Sequence, residues 1–446
     1  MIRLLSFLLA TIAATSLQAK DFNIIDFGAK SDTTCLSTEA IQSAIDACSR
    51  QGGGRVVVPA GDFATGSIIL RSYVHLHLET GATLYGSTRV ADYREMKSNY
   101  VSLRTQTTTI QLIYADNVDH VTIDGHGTID GRGAAFPKLS WNDEGITRPH
   151  LLRFINSRDI VVRDVTLRNS GCWMQHYLAC DRLLISGIKV FNRNNYNNDA
   201  LDIDGCHDVI VSNILADSDD DAITLKSTSP RLCENVTIQN CIVSSHCNAI
   251  KLGTETNGGF RNIRISGCVV KPSANQQTLF FGHKAGRGTS AISLEIVDGG
   301  IMEHVHVSDI LVEGTESPIF IRLGNRARPY AEGIPVQQVG SLRDIYLSRI
   351  TVSGAGSTWC SITGLQGHPV ENIHLSDITI HQLGGCSNVA APTDEKEAEY
   401  PEATMWGVLP AKGFFVNHAR HVIFRDVEIS TLEPDARPDF VQLDVE

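Results

Sequence analysis

The stretch Asp208-Val209-Ile210-Val211-Ser212-Asn213-Ile214-Leu215-Ala216 decides the fold. It opens on a polar residue, alternates about apolar positions, breaks at two polar residues and resumes as apolar-x-apolar. A period of two marks a half-buried strand, and the polar break marks a turn between two short strands. The phrase returns at His120-Val121-Thr122-Ile123, Asp159-Ile160-Val161-Val162, Asn235-Val236-Thr237-Ile238 and Asn262-Ile263-Arg264-Ile265. Later copies are His304-Val305-His306-Val307, Asp344-Ile345-Tyr346-Leu347, Asn372-Ile373-His374-Leu375 and His421-Val422-Ile423-Phe424. With Leu183, the first apolar positions are 121, 160, 183, 209, 236, 263, 305, 345, 373 and 422, a basic step of 23 to 28 residues. Longer steps carry insertions.

A repeat of that length reads as one phrase per coil of a stacked array. No helical pattern separates the phrases, which sets aside a sheet with crossover helices, and a propeller blade would need roughly 40 to 45 residues and four strands. The expected fold is all-β: a single-stranded right-handed parallel β-helix, a solenoid of about ten coils. Its open end needs a cover. Ala40, Ile41, Ala44, Ile45 and Cys48 lie at helical spacing between Ser37-Thr38, read as caps, and Gly52-Gly53-Gly54, read as a stop, so an amino-terminal capping helix is expected. Cys180 and Cys206 share one place in the phrase, and Cys241 and Cys268 another, which predicts inward ladders of thiols ahead of disulfides. His75, His77, His304, His306 and His374 alternate with apolar residues and are read as outward strand positions.

Lys plus Arg is 38 and Asp plus Glu is 50, a formal charge of −12, which disfavours nucleic acid as a partner. The 42% hydrophobic content excludes wholesale disorder. Met1 to Ala19 has one basic residue, an apolar core from Leu4 to about Ala14 and a small polar end, the pattern of a cleavable signal peptide. Its core is too short for a membrane span, so no membrane insertion is expected and a secreted or periplasmic location is. Residues 20–446 are read as one domain, acting as a monomer, with no cofactor and no metal.

The chemical signal is a stack of carboxylates. Asp199-Ala200-Leu201-Asp202, Asp221-Ala222-Ile223-Thr224 and Asn248-Ala249-Ile250-Lys251 share one pattern and lie 22 and 27 residues apart, so they are expected at one strand position in three successive coils. That stacks Asp199, Asp221 and Asn248, sets Asp220 beside them, and makes a second column of Asp202, Thr224 and Lys251. Crowded carboxylates hold one another's protons, which suits an acid and base pair. A separation of roughly 6.5 to 9.5 Å is the geometry of an inverting glycosidase. The acidic run Asp217 to Asp221 also reads as a plain turn or a calcium site.

The motifs Asn197-Asn198-Asp199-Ala200-Leu201-Asp202 and Asp219-Asp220-Asp221-Ala222-Ile223-Thr224 resemble the N-T-D and G-D-D motifs of glycoside hydrolase family 28, the polygalacturonases and their relatives. Asp26-Phe27-Gly28-Ala29, Gly125-His126-Gly127-Thr128-Ile129-Asp130-Gly131, Arg148-Pro149, and Asn169-Ser170 with Trp173 extend the likeness in the family's order. The resemblance implies a right-handed parallel β-helix and inverting hydrolysis of pectin-type polysaccharides or oligosaccharides, with galacturonic-acid or rhamnogalacturonan type linkages. It makes Asp220 the general acid and Asp199 with Asp221 the pair that activates water. A calcium-dependent lyase and a non-catalytic carbohydrate-binding β-helix are the competing readings.

Two departures stand out. Asn248 occupies the histidine position of the family's G-H-G, with His246 two residues away, and Ser293-Leu294-Glu295 falls where the family has R-I-K. Replacement cations for a uronate are therefore sought in Lys251 and Arg326, with Lys226, Lys284, Arg287, Arg322 and Arg328 nearby. Asp202, Asn248, Lys251, Glu255 and Arg326 are the expected substrate-binding residues. Trp141 and Trp173 are candidates for stacking on a sugar ring. Insertions after the copies at 121, 263, 305 and 373 are expected to wall the groove, and a closed end would give exo-action.

Overall fold

A computed structural model describes residues 20–138, 145–274, 286–335, 338–357 and 360–446. The expected signal peptide, Trp141 and Lys284 lie outside the described residues. The chain forms a right-handed parallel β-helix. All ten phrase positions fall in one hydrogen-bonded column, Val121 beside Ile160, then Leu183, Val209, Val236, Ile263, Val305, Ile345, Ile373 and Val422. Two earlier strands, Gly54–Val58 and Val74–Leu78, extend that column toward the amino terminus, so the solenoid is longer than the ten phrases.

The polar residue that opens each phrase has a backbone reason. His120, Asp159, Arg182, Asp208, Asn235, Asn262, His304, Asp344, Asn372 and His421 all take positive φ, between 54° and 58°. Asn and Asp tolerate this left-handed region better than most side chains, and apolar β-branched residues tolerate it worst. The mid-phrase polar residue does the same at Asn213 and Asn240. In later coils the two strands of a phrase fuse into the long strands Ile301–Glu313, Ser341–Ala355 and Val370–Gly384, bent at Asp309, Arg349 and Asp377, again with positive φ.

Between the ladders runs one continuous apolar core. The helix Thr38–Arg50 closes its amino-terminal end, burying Ile41, Ala44, Ile45 and Cys48. Its capping differs from the sequence expectation. Ser37 makes no side-chain cap, because its hydroxyl turns back to Lys30, and Thr38 accepts from Gly66 N–H at 2.7 Å. The glycine stop is steric as well as conformational, since a Cβ on Gly53 would lie 2.6 Å from Tyr73 O.

All eleven cysteines are free thiols. Cys180 N–H donates to Cys206 Sγ at 3.3 Å, and both are buried, as are Cys241 and Cys268. The thiols thus serve as small core residues. Two outcomes are expected. Ile263→Ala, at a site 1% exposed, costs about 2–5 kcal/mol in urea unfolding. Dithiothreitol leaves the unfolding midpoint of the unmodified chain unchanged, whereas a structural disulfide would make the two curves part.

Candidate functional site

The strands Leu201–Asp204, Ile223–Ser227 and Asn248–Thr256 stack in register, with Leu201 beside Ile223 and Ile223 beside Ile250. Ala200 N–H donates to Asp221 O at 3.0 Å and Ala222 N–H to Asn248 O at 2.9 Å, so Asp199, Asp221 and Asn248 occupy one column. Asp202, Thr224, Lys251 and Ser293 form the next. Ala200, Ala222 and Ala249 point into the core, where their small size fits the closely spaced coils. Adjacent rungs lie about 4.8 Å apart.

Each carboxylate in this stack has its own environment. Asp221 is held most firmly: Oδ1 accepts from Asn248 N–H at 3.1 Å and Asn248 Nδ2 at 2.8 Å, and Oδ2 lies 3.1 Å from Lys251 Nζ. Asp220 is half-buried, and its Oδ1 accepts Asp221 N–H at 2.9 Å. A ligand atom of Asp220, one of Asp221 and Cys247 Sγ lie within 4.8 Å of one another. Burial, followed by the charge on Asp221, pushes the Asp220 carboxyl up to about 6. Asp199 is buried, its Oδ1 has no hydrogen-bond partner, and burial with repulsion from Asp202 and Asp220 holds its proton well above the usual carboxylate range. Asp202 is raised by burial in the same way, with Lys226 Nζ 3.6 Å from its Oδ1. Three carboxyls raised by burial thus share one site with Asp221, which an amide and an ammonium hold in place.

On one side of these groups lies a cluster of cations. Glu255 is 2% exposed and sits between Arg104 at 2.8 Å, Lys226 at 3.3 Å and Arg328 at 3.2 Å. Burial alone would raise its carboxyl, but these cations hold it well below the ordinary value. Asp298 pairs with Arg326 at 2.7 Å and, more distantly, with Arg328. Arg104 and Lys226 lie over the face of Trp173, 4.6 and 4.8 Å from its ring centroid. The other side is acidic. Lys251 faces Asp221 and, at 3.9 Å, Glu402, while burial pushes Glu295 up to about 7 and Glu402 to about 8. Tyr400 Oη meets Lys251 Nζ at 3.4 Å, and half of its side chain stays exposed.

Several expected sugar ligands are occupied by protein instead. Asn248 is fully buried, spending its amide on Asp221 and its carbonyl on Ser290 Oγ at 2.5 Å, so it positions Asp221 and does not face the groove. Glu255, expected to bind substrate, instead clamps Arg104, Lys226 and Arg328. Trp173, a candidate for stacking or for packing, is 2% exposed beneath two cations and packs inside. Asp202 and Lys251 are likewise buried, and Arg326 is committed to Asp298. His246 bonds Asp219 at 3.0 Å, one residue from Asp220.

Arg104, Asp298, Tyr400 and Glu402 carried no periodic signal, because each comes from an insertion or an irregular connection. Their segments bound the groove. Leu103 N–H donates to Thr228 O, Gln106 Nε2 to Tyr330 O, and Asn325 N–H to Glu397 O, tying residues 100–106, 325–330 and 395–402 over the acidic column.

This charge arrangement has a measurable cost. Glu402 and Glu295 bind protons more tightly folded than unfolded, where a glutamate titrates near 4.5. Their contribution is therefore favourable below about 4.5 and is lost as pH rises toward about 8. Glu402→Gln is expected to flatten the decline of the urea midpoint between those limits, and an unchanged pH profile would remove Glu402 from that account.

The model for "Glycosyl hydrolases family 28" matches residues 48–398. A probable polygalacturonase of Vitis vinifera is 31% identical over 225 residues, covering 48% of this chain and 46% of the relative. An exo-poly-alpha-D-galacturonosidase of Dickeya chrysanthemi is 29% identical over 259 residues, covering 47% and 42%. The matches span about half the length of these curated relatives. The crystal structure of a hyperthermoactive exopolygalacturonase from Thermotoga maritima superposes with a TM-score of 0.67 at 22% identity, over 81% of this chain and 87% of that one, a likeness of fold. Most of the chain, including the carboxylate stack and its supporting coils, lies inside the matched family region, and the chain belongs to glycosyl hydrolase family 28.

Proposed function

We propose that this chain is an exported glycoside hydrolase that cleaves a uronate-containing, pectin-type polysaccharide or oligosaccharide with inversion, trimming it from an end. The observation that carries the reading is Asp220: a half-buried carboxyl pushed up to about 6, beside two carboxyls held in different environments. In this reading Asp220 protonates the glycosidic oxygen as the bond breaks. Asp221, fixed by Asn248 and Lys251, takes the proton of the attacking water, and Asp199 helps to orient that water. Lys251 Nζ, 3.1 Å from Asp221 Oδ2, holds that carboxyl in place.

The sugar carboxylate belongs on the side of Glu255. There four cations, Arg104, Lys226, Arg326 and Arg328, gather about Glu255 and Asp298. On the Lys251 side the one ammonium among the described residues is spent on Asp221, and burial keeps protons on Glu295 up to about 7 and on Glu402 up to about 8, so none of these residues leaves a cation for a second uronate. A neutral sugar fits better there, which favours a mixed, rhamnogalacturonan-type linkage over plain galacturonan. The insertions carrying Arg104 and Glu402 support action at a chain end, since they narrow a groove that a long polymer would need open.

Asp220→Asn is expected to lower kcat by at least about 100-fold while leaving the thermal unfolding curve in place, as expected for loss of a general acid. In the unmodified enzyme kcat/KM falls as pH rises through about 6, because the acid must carry its proton. Proton NMR of the first product gives the anomer opposite to that of the cleaved bond. Near-normal turnover in the variant, retention, or an ultraviolet-absorbing unsaturated product would each overturn the assignment. Sizing the products from homogalacturonan and rhamnogalacturonan oligosaccharides decides between the linkages, with single-unit release as the mark of end trimming.

A further inference from the structure

On a different ladder of the solenoid, in the column that holds the ten phrase positions, His75 and His77 project outward from the strand Val74–Leu78. Residues two apart on a strand share a face. Asp124 lies opposite His77 on the neighbouring strand Asp119–Gly125. His75 Nε2 and His77 Nδ1 both approach Asp124 Oδ1, each at 2.6 Å, and one ligand atom from each of the three residues lies within 4.8 Å of the others.

From this geometry we propose that His75, His77 and Asp124 form a binding site for a first-row divalent transition cation, with zinc the best match. Two imidazole nitrogens and one carboxylate oxygen are a familiar ligand set for zinc, which takes its remaining position from water. Bonds of roughly 2.0–2.2 Å to three tetrahedral ligands place those atoms about 3.3 Å apart. Asp124 Oδ1 therefore needs to retreat by less than about 1 Å to admit the ion between it and the rings. The two histidines remain partly exposed, with side chains 33% and 23% accessible, so an ion and a water have a path in.

The surrounding charges fit an ordered ligand. Arg163 holds the other carboxylate oxygen, Oδ2, at 3.1 Å, which leaves Oδ1 turned toward both rings. A partner that fixes a ligating carboxylate from behind is the usual support for such sites. Arg55, the next cation along this face, is occupied by Asp21 at 2.7 Å. The ion would tie together strands 47 to 49 residues apart in sequence, on either side of the insertion that carries Arg104. The site is independent of the proposed hydrolysis, which uses no group of this ladder.

The test is isothermal titration of the chelator-treated chain with zinc chloride, with cobalt(II) as a visible probe. One zinc per chain is expected, with a cobalt band of tetrahedral intensity. His75→Ala with His77→Ala should abolish that binding, and Arg163→Gln should weaken it about 10-fold. A higher thermal midpoint in zinc should accompany binding by the unmodified chain alone. The double variant touches only half-exposed side chains, and its circular dichroism verifies its fold. Should it not fold, protection of His75 and His77 of the unmodified chain from diethylpyrocarbonate by zinc, mapped by mass spectrometry, reads the same site. No binding up to about 1 mM zinc, equal binding by the double variant, or no protection of these two histidines would overturn the proposal. Hydrolysis is expected to persist in chelator, so its loss by Asp220→Asn and loss of zinc binding here are separately observable.

Discussion

Everything in this molecule depends on the in-register stacking of successive coils, which puts like positions directly above one another about every 4.8 Å. For valine and isoleucine the arrangement is favourable, since each rung buries the last. For aspartates it is costly: two unit charges about 5 Å apart repel by roughly 3 kcal/mol at an effective dielectric of about 20. The stack at Asp199, Asp202, Asp220 and Asp221 is relieved in two ways. Some carboxyls keep protons, and Lys251 and Lys226 compensate others. Burial, joined by that repulsion, raises Asp199, Asp202 and Asp220, while Asp221 is pinned between Asn248 and Lys251.

The neighbouring charges follow from the same economy. Where the family pattern has R-I-K, this chain has Ser293 and Glu295, and the missing cations reappear on other elements, at Arg104, Lys226, Arg326 and Arg328. Glu255 gathers three of them, and their shared partner keeps four buried or half-buried cations from repelling one another apart. Asn248 gives Asp221 Oδ1 two hydrogen bonds, from its backbone N–H and from its side-chain amide.

The coil register was fully legible in the sequence because it rests on a strict period: the spacing of 22 and 27 residues places Asp199, Asp221 and Asn248 in one column. The thiol ladders and the capping helix were readable for the same reason, although Ser37 shows that a cap residue identifies a boundary better than it identifies a hydrogen bond. What could not be read was the direction and occupancy of charged side chains. Glu255 reads as a substrate-binding residue and Trp173 as a candidate for stacking on a sugar, since nothing in a repeat announces that Arg104, more than sixty residues before Trp173, folds back over both. Tyr400 and Glu402 lie in a stretch rich in Pro and Glu that reads only as a loop, and contacts made by irregular segments leave no periodic trace.

The two flanks of the groove, near Arg104 and near Glu402, are separated by almost 300 positions of chain yet meet the same few coils. The coils that carry Asp199, Asp220 and Asp221 hydrogen-bond to one another without that later flank. Loss of the last windings would therefore strip the Glu402 side from Lys251 and leave most of the strands in place.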